Sequence, residues 1–259
     1  MIQKRLLTLA MAGIAGAALV APAIASAAAT GKAVYDALPA KGTVSVPSYG
    51  PEAYSFNQFG NEVILRPHSK AIRNVKVTMV SYACQQGSWN DSCVTTPGAT
   101  FKAPITLNLY RYSHTNAKTG IVKPGKRILR VTRTFRIHYR PSSTSAGEPR
   151  YMGSDGQLHN GLGQTITFPV HHKLGNDIVW TVSYDTNTSG PSPLGQSGPM
   201  DSLNVGVTPT ATIGHDRFPG TIFWDTRYAG FTGGAPFVTG QLNRDNGWTG
   251  SVPAASFIQ

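Results

Sequence analysis

Negative charge and cysteine are what this chain has least of. Its only glutamates are Glu52, Glu62 and Glu148, and 12 acids face 23 lysines and arginines. Residues 92–147 contain no acid at all. The two cysteines, Cys84 and Cys93, exclude a Cys-x-x-Cys redox motif, and no second thiol or histidine pair stands close enough in sequence to complete a metal site. Glu/Lys/Ala-rich stretches are scarce after residue 40, which argues against a helical fold. Residues 251–259 carry no apolar tail, no twin arginine precedes the first apolar run, and no cysteine follows it, so neither a lipid anchor nor folded-state export is expected.

What is present at the start reads as a targeting segment. Lys4 and Arg5 precede an apolar run over 6–20, and Ala25-Ser26-Ala27 supplies small residues for cleavage. This order marks a secretory signal peptide over residues 1–29, too short in its apolar part to hold a bilayer, so no stable membrane insertion is expected. The expected product is a secreted, extracellular chain with a loose N-terminal segment at 30–42 and one domain over 43–259. In an oxidising compartment Cys84 and Cys93, eight residues apart, are expected to close a small disulfide loop.

The remaining charge is unevenly placed. Without the signal segment the chain carries 21 bases and 12 acids, a net +9. Ten of those bases lie in 92–147, so the rest of the chain is close to neutral. Within 127–140 (RILRVTRTFRIHYR) residues alternate: Leu129, Val131, Phe135, Ile137 and Tyr139 share one face, while Arg130, Thr132, Thr134, Arg136, His138 and Arg140 share the other. Period two marks a strand with one buried face. Arg133 falls on the apolar side, which requires a bulge or a sheet edge there.

Similar alternation recurs at 74–82, 105–112, 164–170 and 178–184, with shorter β-type runs at 44–46, 62–66, 203–208, 221–225 and 254–258. Turn clusters such as Pro97-Gly98, Asp155-Gly156 and Asn246-Gly247 separate them. With 28 glycines and 18 prolines the pattern predicts an all-β, two-sheet antiparallel β-sandwich, jelly-roll-like, in a single domain.

Sites are harder to read. Gly195-Gln196-Ser197-Gly198-Pro199 approaches a hydrolase elbow but has Pro199 where glycine is needed. Asp177, Asp185, Asp201, Asp216 and Asp225 are candidates for a carboxylate pair, and Asp185, Asn187 and Asp201 for a structural calcium, although no periodic ligand loop is present. His171-His172 point apart in a strand, so no metal is expected, nor any other cofactor. Tyr110 and Tyr112, on the face opposite Leu107 and Leu109, and Trp89 in the cysteine loop are candidates for stacking on sugar rings. Trp180, Trp224 and Trp248 read as core. The cationic row, with Arg130, Arg136, His138 and Arg140, suits an anionic polymer. Nucleic acid is not expected, because export removes it and no binding motif appears.

The segments 81–89, 93–101 and 104–110, together with 134–141, 184–195, 201–206 and 244–248, resemble a group of uncharacterised secreted bacterial proteins sharing the Cys/Trp block SYACQQGSWNDSCVTTPGATF. The resemblance implies one β-rich extracellular domain and imports no catalytic residue; relatives carry a second cysteine pair in the stretch matching 147–158, where this chain has none. The expected role is a non-catalytic extracellular protein that engages an anionic or neutral glycan of a cell envelope through its basic strand. A hydrolase of envelope polysaccharide, and a structural or host-interaction protein without a small ligand, are the alternatives.

Overall fold

The computed structural model describes residues 31–67, 71–185, 202–228, 230 and 236–259. Period-two alternation sets the architecture. In the strand Ile72–Ser81, Val75, Val77 and Met79 are fully buried on one face. In Thr100–Arg111 the corresponding row is Phe101, Ala103, Ile105, Leu107 and Leu109. These rows belong to different sheets, and they meet in one apolar cluster. Two sheets that each bury a single face must close on each other, which makes a β-sandwich.

One sheet runs Ala33–Asp36, Ala255–Ile258, Ile72–Ser81, Leu203–Thr208 and Val252–Pro253, with Leu162–His172 also pairing with Ile72–Ser81. The other runs Arg127–His138, Thr100–Arg111, Asp177–Tyr184, Phe59–Ile64, Thr221–Trp224 and Asn243–Asn246. The strand pairings are antiparallel, and the chain changes sheet between most successive long strands. Trp180, Trp224 and Trp248 lie in the core as expected, and the indole N–H groups of Trp224 and Trp248 both donate to Asp245 Oδ2, at 3.0 and 3.3 Å. One acceptor thereby satisfies two polar atoms that the apolar interior would otherwise strand.

Three expectations are corrected. Within the segment expected to be loose, Ala33–Asp36 is a strand that pairs with Ala255–Ile258, and there Tyr35 is fully buried with its hydroxyl donating to Asp216 at 3.0 Å. Residues 44–46 form no strand; the short strand there is Ser48–Tyr49, and Val44 instead accepts an N–H from Gly163 at 2.8 Å. Asn243–Asn246 is a strand that its polar sequence hides.

The arginine strand, Arg127–His138, is the edge of its sheet, so Arg133 needs no bulge. Register with Thr100–Arg111 is unbroken from Leu129 to His138, and Arg133 lies opposite Ile105. It shares the apolar face yet reaches solvent at the rim. The strand's far end is tied to the other sheet by Gln164, whose side chain accepts from the His138 N–H at 2.8 Å and donates to its carbonyl at 3.1 Å.

Arg140 departs from the expected row: it is fully buried. Its guanidinium donates to the carbonyls of Pro141 (3.3 Å), Trp89 (3.1 Å) and Pro149 and to Ser143 Oγ (3.2 Å), with the Tyr151 ring 5.7 Å away. Alternation ends where the chain turns in beside Cys84–Cys93, which forms the expected disulfide with Cα atoms 5.6 Å apart. The Arg140 N–H donates to Ala83 O, and Ser143 exchanges bonds with the backbone of Cys93. Burial pulls the Arg140 pKa down to about 10, so the side chain stays charged at neutral pH. Truncation to alanine leaves several buried acceptors without a donor. Arg140→Ala is expected to destabilise the fold by about 3 kcal/mol, read as a lower urea midpoint; an unchanged midpoint would contradict this role.

Candidate functional site

The outward face of the arginine strand holds Arg130, Arg136 and His138, all exposed. From Arg130 to His138 the row spans about 26 Å at ~3.3 Å per residue, shorter than an extension to Arg140 would give. Arg136 stands directly across from Lys102, another exposed cation, and Arg130 across from Asn108. Like charges placed opposite each other on neighbouring strands repel. The ion pairs among the described residues join Arg150 to Glu148, His159 to Asp155 and Arg217 to Asp177; none reaches Arg130, Arg133, Arg136 or Lys102.

The two tyrosines separate. Tyr112 is exposed, its ring 4.9 Å from His114. Tyr110 is buried on the outer side of the sheet with Val122, Val179 and Phe223, and its hydroxyl donates to Gln58 Oε1 at 2.8 Å. It is therefore no stacking platform. Sequence alternation placed it opposite the core, but the segments bearing Val122 and Leu242 pack over that side.

Among the described residues the candidate carboxylates do not converge on a reaction centre. Asp225 accepts the backbone N–H groups of Asn57 (2.6 Å) and Gln58 (2.7 Å), and Asp216 accepts from Tyr35. Asp185 borders a separate cavity of about 460 Å³ with Asn57, Thr106 and Arg227. The elbow-like stretch 195–199, Asn187 and Asp201 lie outside the described residues, as do residues 1–29, where a signal segment is expected. Among the described residues no three His, Cys, Asp or Glu side chains are grouped to hold a metal ion.

The fold does bring Glu62 and Asp177 together from adjacent strands, a pair with no signal in their sequence spacing. Glu62 is committed to Ser113, accepting from its N–H at 2.9 Å and its hydroxyl at 2.6 Å. Burial and the neighbouring Glu62 charge push the Asp177 pKa up to about 6, against the pull of Arg217 at 3.5 Å. Asp177 is engaged by Arg217 and Glu62 by Ser113, so this is a structural pair.

A second site joins segments far apart in sequence. A cavity of about 190 Å³ opens between the Gly50 turn, the disulfide loop and the start of Leu203–Thr208. Tyr54, Tyr82 and Trp89 form its aromatic wall, with Tyr82 and Trp89 edge to face at 5.8 Å. Ser48, Glu52 and Asn204 form the polar wall. Asn204 Nδ2 donates to Ser48 Oγ at 3.2 Å, Ser48 Oγ lies 3.2 Å from the Tyr82 hydroxyl, and buried Glu52 accepts from the Leu203 N–H at 3.2 Å. Gly50 is required by close approach: a Cβ there would stand 1.9 Å from Asn204 Oδ1. Of these residues only Trp89 carried a sequence signal.

Architecture and site thus define an all-β sandwich with a cationic edge and one aromatic-walled cavity. Compared with protein-family models, curated proteins and solved structures, the chain matches none.

The Asp177 environment makes stability depend on pH. Its folded pKa lies above the ordinary carboxylate value, so the folded state keeps a proton that the unfolded chain releases. Stability from this group is full below about pH 4 and is lost as pH rises through about 6. Asp177→Asn is expected to raise stability at pH 7.5 by about 1 kcal/mol, after allowance for solvent screening, and to flatten the pH 4–7 slope of the melting temperature. A slope identical to wild type would contradict the assignment.

Proposed function

We propose that the chain is an exported, non-catalytic binding protein whose arginine strand engages an anionic glycan of a cell envelope. The observation that carries this reading is the set of exposed, acid-free cations at one sheet edge: Arg130, Arg133 and Arg136, with Lys102 beside Arg136. A repulsive pair kept without a neutralising acid lowers its own cost when an anionic polymer binds. Edge strands are protected from self-pairing by such charges, yet protection alone needs no second cation on the neighbouring strand. Export is supported by the charged, apolar and small-residue order of 1–29 and by the disulfide. The likeness of the Cys/Trp block to secreted bacterial proteins agrees with it. A hydrolytic role has less support, because Asp216 and Asp225 are each consumed by internal hydrogen bonds.

Retention on an immobilised phosphorylated or uronate glycan tests this at about 50 mM and about 300 mM salt. Wild type is expected to bind at the lower salt and elute at the higher. Arg130→Ser/Arg133→Ser/Arg136→Ser is expected to lose roughly tenfold in affinity at the lower salt while keeping its melting temperature. Salt-insensitive retention, or retention unchanged in the triple variant, would overturn the proposal.

A further inference from the structure

We infer that the cavity between the Gly50 turn and the disulfide loop is a binding site for one uncharged sugar ring. This rests on a different observation from the arginine strand, and either can fail alone. Its volume of about 190 Å³ lies below the roughly 300–1,000 Å³ of sites for drug-sized ligands, so it suits a single ring rather than an oligomer. Tyr54, Tyr82 and Trp89 supply apolar surface for the C–H face of a pyranose. The same lining supplies polar atoms of both kinds. Ser48 and Tyr82 hydroxyls donate and accept, Asn204 Oδ1 accepts, and Ser202 borders the same cavity. A ring with an apolar face and hydroxyls around its rim matches that division.

Charge selects against the other ligands of this size. No lysine or arginine lines the cavity among the described residues, so an anion finds no partner there, and Glu52 repels it. An organic ammonium would meet a fixed cation near one end of the lining, since the Arg140 guanidinium donates to the Trp89 carbonyl at 3.1 Å. A neutral ligand costs the least desolvation in a cavity so lined. The site is also held in shape before any ligand arrives. The disulfide and Arg140 fix the loop bearing Trp89, and Gly50 admits Asn204 to contact distance. Preformed walls lower the ordering cost of binding a small ligand.

Methyl glycosides of glucose, galactose, mannose and N-acetylglucosamine, titrated into the full-length protein and followed by saturation-transfer NMR and tryptophan fluorescence, test the inference. At least one is expected to bind with a Kd of about 1 mM. Trp89→Ala and Asn204→Ala are each expected to weaken it by about tenfold, and Ser202→Ala, which leaves the disulfide loop untouched, by a smaller factor. The Arg130→Ser/Arg133→Ser/Arg136→Ser variant is expected to bind the glycoside as wild type does, which separates this site from the polymer surface. The inference is overturned if no glycoside transfers saturation at roughly 20 mM, if Asn204→Ala and Ser202→Ala bind undiminished, or if tetramethylammonium occupies the cavity and the glycosides do not.

Discussion

Where the positive charge of this molecule goes is decided at Arg140. A guanidinium taken out of water must find acceptors for its donors, and here neutral carbonyls and a hydroxyl supply them rather than a carboxylate. Those acceptors come from the disulfide loop and from the chain after Pro141, so a single side chain joins segments that have no strand in common. The same contact ends the arginine strand, turns the chain inward and sets the position of Trp89. Cysteine bridge and guanidinium divide the work. The bridge closes the loop on itself, and the guanidinium fastens it to the sandwich.

The other arginines are left outside by the same geometry. Arg127–His138 lies at a sheet edge, so its alternate residues have open solvent on the outer side, and even Arg133 on the inner side escapes over the rim. A region with no acids cannot neutralise them locally. Positive potential therefore accumulates along the edge, and screening by salt is its natural control. The aromatic-walled cavity is built from the opposite ingredients: half-buried rings, neutral hydrogen-bonding groups and one carboxylate.

Much of the sandwich was legible from residue alternation, because burying one face of a sheet writes a period of two into the chain. Thus Val75, Val77 and Met79, or Ile178, Trp180 and Val182, announce both strand and facing. Alternation fails where burial comes from a third layer. Tyr110 lies opposite the core yet is covered by Val122 and Leu242. It fails again where a strand ends, since nothing in RIHYR says that Arg140 turns inward when Arg136 does not. Short strands rich in polar residues, such as Asn243–Asn246, take their order from neighbours and not from their own sequence. The cavity was illegible for a simpler reason: Gly50, Tyr82 and Asn204 meet only because Ser48–Tyr49 and Ile72–Ser81, distant in sequence, both pair with Leu203–Thr208. The Glu62–Asp177 pair shares that origin, being a product of cross-strand register.

Arg130, Arg133 and Arg136 of one strand face solvent while Arg140, just past its end, is internal. Arginine footprinting with a dicarbonyl reagent, read by mass spectrometry with and without an anionic glycan, measures this directly. Rapid modification of Arg130, Arg133 and Arg136, protection of Arg140 throughout, and slowing of the first three when the polymer is present are expected. Modification of Arg140 at the rate of its neighbours, or polymer that leaves every rate unchanged, would contradict this.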